Sequence, residues 1–413
     1  MRLIFLLSLF LPFFGITQTK RSKSFTQKLC SPEFHGRGYV NGGDSIAADF
    51  IAETFQQIGL QPIQGSYFQS FSFPVNIFPE EMILIIDSNK LVPGLHYLVE
   101  PSSGGGSFQG EILRLTFDDL FHNKIASKKI KNGTILVWKN PGYRGDTLKI
   151  INQTLANVRS FGPLIEVVSS KLTWSVSQEG RRFPYFQVHD SVFKENSNFA
   201  SLSVDAKTIR HTARNVIGFL PAKRKTNKTI LISAHYDHLG RMGRATYFPG
   251  ANDNASGNAM LIELAEKLKN KPLKRYNLLF VAFAGEEVGL LGSQYMVKNP
   301  IINLENIRFM LNLDIMGSGE EGITVVNSTL FNNEFKKLLK LNKQLNALPV
   351  IKPRGPAANS DHYFFTQAGV PAFFIYTMGP NKHYHDIFDT YDELSFEAFD
   401  SLANLIEVFV RKL

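Results

Sequence analysis

Acids and imidazoles recur where apolar segments of this sequence end. His235 and Asp237 follow TILISA, Glu286 and Glu287 follow NLLFVAFAG, and Asp314 closes RFMLNLD. Asp253 lies in the loop GANDNASGNA, and His385 lies in KHYHDIFDTYD just beyond the apolar PAFFIY. A charge emerging from a buried segment needs a strong electrostatic partner, because leaving it unpaired costs several kcal/mol. A divalent metal is such a partner, and a mixture of imidazole nitrogen and carboxylate oxygen donors suits zinc. Asp253, Glu287 and Asp314 bring three negative charges and a bound hydroxide a fourth, which balances two divalent cations rather than one. One bridging carboxylate lets five protein ligands serve both ions, and paired metals about 3.5–4 Å apart are a known arrangement for hydrolytic attack. Neither G-x-S-x-G nor H-E-x-x-H occurs, which excludes the serine-hydrolase elbow and the thermolysin-type zinc helix.

Strand ends are where α/β sheets keep their sites, so the elements around these residues decide whether they can meet. After Arg214, buried strands alternate with helices: NVIGFL, TILISA, a helix near 255–268, NLLFVAF, a helix near 290–297, RFMLNLDI, a helix near 333–341, then PAFFIY. A packing helix spans 396–413. This alternation predicts an α/β fold with a mixed, largely parallel sheet sandwiched by helices. Upstream, 42–60 places Ile46, Phe50, Ile51, Phe55 and Ile58 on one helical face, with Asp44 or Ser45 as N-cap and Gly59 as the stop. Between them, short runs such as MILIID, GEILRL, GTILVWK and YFQV, separated by turn residues, predict a strand-rich inserted domain. The expected division is a leader at 1–18, a first part of the catalytic domain at 19–70, the insertion at 71–208, and the remainder at 209–413.

The whole chain has 413 residues, 44% hydrophobic and 20% charged, which is globular composition with a large core and excludes collagen-like and disordered classes. Its net charge of +9 would suit an anionic partner only if concentrated. The densest basic run, 223–228, lies between two apolar segments and reads as a solvated turn, so no nucleic-acid partner is expected. Cys30 is the single cysteine, which excludes an intrachain disulfide and a thiolate zinc cluster and leaves an inert thiol. Arg2 and the apolar run from Leu3 to Ile16, followed by Thr17-Gln18-Thr19-Lys20-Arg21, form a signal-peptide pattern. The run is shorter than the roughly 20 residues that span a bilayer. Export to a periplasm or medium, with no membrane anchor once the leader is removed, is the expectation.

In order, HYDHLG at His235, GANDNASG at Asp253, FAGEEVGLLGS at Glu286 and Glu287, NLDIMG at Asp314, SDHYFF at Asp361 and YHDIFDTYD at His385 resemble the M28 family of di-zinc aminopeptidases. The resemblance is strong over 209–413 and weaker over 31–62. Many members carry an inserted protease-associated domain, which the strand NGTILVWKNPGY and the stretch INQTLANVRSFGPLIEVV resemble. The resemblance implies that His235 and Asp314 bind one zinc, Glu287 and His385 the other, and that Asp253 bridges both. It makes Asp237 the acid that orients the His235 ring, and Glu286 the base that takes a proton from the water bound between the zincs, leaving a bridging hydroxide. Peptides with a free N-terminus are the implied substrates, and a cis peptide bond is implied at Asp253–Asn254.

His383 and His385 could each be the ligand by residue type, and the family's His-x-x-x-Asp-Thr spacing favours His385. His238 and His362 read as pocket or structural residues, Asp361 resembles an acid supporting the ligands, and Asp389 reads as fixing a loop. The aromatic cluster Tyr363, Phe364, Phe365, Phe373 and Phe374 is mostly core. Three competitors stand beside the aminopeptidase: a carboxypeptidase, for which Arg241, Arg244 and Arg354 are the candidate carboxylate clamps; a single-zinc glutaminyl cyclase, which the presence of His235 weakens; and a non-catalytic receptor-like module, which the full ligand set weakens.

Overall fold

The computed structural model describes residues 15–122, 124–125, 130–131 and 133–413, so the expected leader lies largely outside the described residues. Helices α1 (Gly15–Leu29) and α2 (Gly43–Ile58) precede strand β1 (Phe68–Ile77). Short strands follow: β2 (Ile83–Ile86), β3 (Asn89–Lys90), β4 (Tyr97–Val99), β5 (Gly106–Arg114), β6 (Ile135–Lys139), β7 (Leu164–Val168), β8 (Tyr185–His189) and β9 (Phe199–Val204). Helices α3 (Phe117–Phe121) and α4 (Gly145–Val158) lie among them. Then come β10 (Lys207–Leu220), β11 (Thr229–His235), the small ribbon of β12 (Arg241–Met242) and β13 (Thr246–Tyr247), α5 (Gly257–Asn270) and β14 (Asn277–Phe283). The chain finishes with α6 (Leu291–Lys298), β15 (Ile307–Leu313), β16 (Gly322–Val326), α7 (Asn332–Leu345), β17 (Ile351–Pro353), α8 (His362–Gln367), β18 (Ala372–Met378) and α9 (Phe399–Lys412).

The first sheet runs β1-β10-β14-β11-β15-β18-β16-β17. Its centre, β14, β11, β15 and β18, is parallel, while β1–β10, β10–β14 and β16–β18 pair antiparallel. Strand β11 is buried at every position, as a strand covered on both faces must be. Its side chains alternate: Ile230, Ile232 and Ala234 join the core beneath α1, α2, α5 and α9, and Leu231 joins Phe283, Met310 and Phe365 beneath α6 and α8. The sheet is therefore fixed from both sides, and residues at its strand ends inherit that rigidity.

Helix α2 forms as expected and stops at Gly59, whose φ of 84° suits glycine. Its buried stripe is rotated, however. Ile46 is 40% exposed, and Ala47, Ala48, Ile51 and Phe55 face the core. Small alanines let the helix approach β10, a packing effect that counting large apolar residues misses. Asp44 does not cap the helix; it is buried and sits 2.6 Å from Nε2 of His211. Helix α1 was not anticipated, because its sequence is polar; its described inner face contributes Phe25 and Leu29, and Ser22 donates to Glu263 at 2.8 Å.

The second sheet runs β3-β2-β9-β5-β6-β7-β8-β4. Helix α4 covers one face through Ile151, Leu155 and Val158 against Leu136, Trp138 and Leu164. The other face packs onto the first unit through Phe78, Leu239, Met242 and Phe248. The boundary expected at 71 falls inside β1, which pairs with β10 from Phe68↔Val216 to Ile77↔Lys207. That partner lies far along the chain, so local pattern could not assign β1 to the first sheet. The basic run 223–228 occupies the turn between β10 and β11 and is mostly exposed.

Candidate metal centre

The parallel strands deliver their acids and imidazoles to one edge of the first sheet. His235 ends β11, Asp314 follows β15, and Glu286 and Glu287 follow β14 across Gly285, whose φ of 68° turns the chain. Asp253 sits in the irregular turn that opens α5, and His385 in the loop after β18. Their geometry is paired. Nε2 of His235 lies 3.3 Å from Oδ1 of Asp253 and 3.3 Å from Oδ1 of Asp314. Nε2 of His385 lies 3.2 Å from Oδ2 of Asp253 and 3.2 Å from Oε2 of Glu287. Asp253 thus presents one oxygen to each imidazole, and each imidazole has a second carboxylate of its own.

Both rings are oriented through Nδ1 by main-chain carbonyls. For His235 this is the carbonyl of Asp237 at 3.1 Å, while the Asp237 carboxylate is 4.0 Å away. The expectation that this carboxylate orients the ring is therefore corrected: it instead accepts from the backbone N–H groups of Glu286 (3.1 Å) and Glu287 (3.3 Å) and from the Tyr39 hydroxyl (3.1 Å). For His385 the orienting carbonyl belongs to Trp174, at 2.8 Å.

The turn carrying Asp253 is held from several directions. Asp389 accepts from the N–H groups of Asn252 and Asp253 at 2.9 and 3.0 Å, the loop-fixing role expected of it. Arg37 is fully buried and donates to the carbonyls of Tyr236 (2.8 Å), Pro249 (2.7 Å) and Gly250 (2.7 Å). Gly250 has φ 57°, and a Cβ there would lie 2.3 Å from the His238 ring and from the Asp253 carbonyl oxygen. The Asp253–Asn254 peptide bond is cis. Ile315, a β-branched residue at φ 55°, is kept there by Asn254 Oδ1, which accepts its N–H at 3.1 Å, and by Thr377, whose N–H bonds its carbonyl at 3.0 Å.

Electrostatics follow from burial. Desolvation opposes charge on His235, but the carboxylates of Glu286, Asp314 and Asp253 outweigh it and raise its pKa well above the usual imidazole value. His385 behaves likewise and is raised to about 11, chiefly by Glu287 and Asp253 acting against burial. Burial pushes Asp237 up to about 6 and Glu286 well above the ordinary carboxylate range. Glu287 is desolvated too, yet His385 and His238 hold it down at about 2. Oδ1 of Asp314 is buried without a hydrogen bond. A crowd of buried acids facing three imidazoles, His235, His238 and His385, with an Asp314 oxygen that lacks a hydrogen bond, fits divalent cations.

The remaining candidates separate cleanly. His383 turns away and bonds Asp386 at 3.2 Å. His238 is buried, holds Oε1 of Glu287 at 2.7 Å, and with Asp253 and Glu287 forms a further trio within metal-binding distance, closer to the centre than a pocket residue need be. Asp361 is buried and raised to about 7 by desolvation; His362 is buried against Phe374 and lowered to about 4 by the same cause. Phe365 and Phe373 are core, as expected. Cys30 is buried and its thiol pushed up to about 11, hence inert. The arginines are engaged elsewhere: Arg244 with Glu80, Arg241 with His35 and the Arg244 carbonyl, and Arg354 with the Tyr376 hydroxyl. Arg37, Tyr39 and Trp174 were not singled out from sequence; a charged residue inside HGRG was the one available hint. Beside Asp253 opens a cavity of about 460 Å³ lined by Ile315, Tyr376, Met378 and Tyr384 among others.

Residues 215–410 match the profile of Peptidase family M28. A probable leucine aminopeptidase of Arthroderma otae is 29% identical over 237 residues, covering 53% of this chain and 62% of that protein. Aminopeptidase YwaD of Bacillus subtilis is 28% identical over 224 residues, 51% of this chain and 47% of the relative. The match therefore spans between about half and three-fifths of these relatives' lengths. Among solved structures, a zinc aminopeptidase from Bacillus subtilis superposes with a TM-score of 0.69 over 95% of this chain and 94% of its own, at 20% identity. An aminopeptidase from Aneurinibacillus sp. strain AM-1 gives 0.63 over 95% and 93%, at 22% identity. Both are likenesses of fold. Residues 215–410 thus resemble a peptidase family M28 domain, and they lie on a mixed α/β sheet. No helix among the described residues is long and apolar enough to cross a membrane.

Proposed function

We propose that this protein is an exported metallo-aminopeptidase that uses two zinc ions to remove N-terminal residues from peptides. The observation that carries the reading is the division of Asp253: Oδ1 faces His235 with Asp314, and Oδ2 faces His385 with Glu287. Two donor sets sharing one carboxylate are what a pair of cations needs. When bound, zinc ions here supply Lewis acidity that lowers the pKa of water and polarises a carbonyl. Glu286 belongs to neither set, and desolvation favours its protonated form. In this reading its carboxylate takes the proton of the attacking water and releases it to the leaving amine. Asp237 fixes Glu286 and Glu287 through their backbone N–H groups, so that one turn serves both proton transfer and metal binding. The cavity beside Asp253 is sized for a substrate side chain, and the inserted sheet is read as a protease-associated-like domain.

Metal analysis followed by assay on free and N-acetylated dipeptide amides tests the reading. Two zinc ions per chain and cleavage of the free amides alone are expected; equal cleavage of blocked amides would sink the aminopeptidase assignment. Export rests on the pattern in residues 1–18, and N-terminal sequencing of secreted protein should find a start near Thr17 to Thr19.

A further inference from the structure

The two imidazoles of the centre are oriented by different parts of the chain. His235 is held by the carbonyl of Asp237, two residues beyond its own strand, whereas His385 is held by the stretch of the inserted region that follows β7. Trp174 and His385 form a reciprocal pair: the Trp174 N–H donates to the His385 carbonyl at 2.9 Å, and the Trp174 carbonyl meets Nδ1 of His385 at 2.8 Å. A carbonyl only accepts, so Nδ1 carries the proton and Nε2, the nitrogen facing Asp253 and Glu287, keeps its lone pair when the ring is neutral. His385 itself stands at φ 56°, a backbone state uncommon for a residue other than glycine.

Trp174 is well anchored for this task. It is 5% exposed, its Nε1 donates to the Val99 carbonyl at 2.7 Å, and its ring stacks on Phe248 at 4.8 Å, two residues before Gly250. Lys171 adds a second grip on the same loop. Its ammonium lies 2.5 Å from Asp386 and donates to the carbonyl of Lys382 at 2.8 Å.

We infer that residues 171–174 of the inserted region are a clamp that positions His385 and fixes its tautomer, so that the cation site built on His385 and Glu287 depends on the insertion while the site built on His235 and Asp314 does not. This rests on the two-cation reading above. Lys171 and Trp174 are positioning residues, since they act through His385. Losing a partner that orients a metal ligand typically weakens binding about 10–100-fold.

The test is titration of metal-free protein with Co²⁺, followed by calorimetry and by visible absorption. The parent should take up two ions. Trp174→Ala and Lys171→Met should each bind one ion as the parent does and the other about 10–100-fold more weakly, with one of two cobalt bands displaced. Trp174→Phe keeps the stack on Phe248 and should recover most of the loss. Trp138→Phe, elsewhere in the insertion, should bind both ions like the parent. Lys171 lies largely at the surface, so Lys171→Met reports even where Trp174→Ala fails to fold. A parent that binds no cobalt overturns the two-cation reading itself. A parent with two ions and variants indistinguishable from it overturns the clamp alone, as does an equal weakening of both ions.

Discussion

The His235 half and the His385 half of the centre share Asp253 and have matching distances, yet they are built differently. His235 and Asp314 stand at the ends of adjacent parallel strands, where register on a doubly covered sheet sets their separation. His385 stands on a loop between β18 and α9, so its position is borrowed from whatever packs against it: Trp174, Lys171 and the stacked ring of Tyr384 at 3.9 Å. A site made of one rigid and one supported half has distinct ways to fail. Damage to the sheet should unfold the protein, and damage to the support should cost one ligand.

Asp253→Ala removes the group common to both halves and should have the largest effect, with loss of both ions and turnover reduced to background, measured by metal content and peptide assay. Glu286→Gln leaves both halves intact. It should lower kcat by about 10²–10⁴-fold with metal content unchanged; full activity would remove the proposed base. Arg37→Leu strikes the turn that carries Asp253, leaving the carbonyls of Leu29, Tyr236, Pro249 and Gly250 without their donor. Denaturant unfolding should show a loss of about 3 kcal/mol, with both ions weakened together rather than one.

A pH-dependent effect, absent at neutral pH, concerns His362, buried at the start of α8 against Phe374. Burial lowers its pKa to about 4, against 6.5 for an unfolded chain. The unfolded state therefore binds a proton first as pH falls. The stability associated with neutral His362 is complete above pH 6.5 and declines towards pH 4, by about 3 kcal/mol at most. His362→Phe should flatten that part of the pH profile in urea unfolding; an unchanged slope would show that other groups carry it.

Much of this centre is legible in the chain because strands are local. TILISAH, NLLFVAFAGEE and NLD each show an apolar run followed by its acid or imidazole, while the cis bond and the preference for His385 over His383 rest on the family resemblance. What was illegible is long-range or small. The rotated face of α2 depends on two alanines, β1 on a partner some 140 residues away, and the job of Asp237 on which of its own atoms reaches the ring.

By itself, the sequence determined the donor types and the alternation of strands and helices, because buried periodicity and metal preference are properties of residues in order. It could not determine that a carbonyl of Trp174 orients His385, or that Arg37 ties the carbonyls of Tyr236, Pro249 and Gly250 together beneath Asp253. Backbone carbonyls are the same in every residue, so only the tertiary structure decides which of them a given imidazole or guanidinium meets.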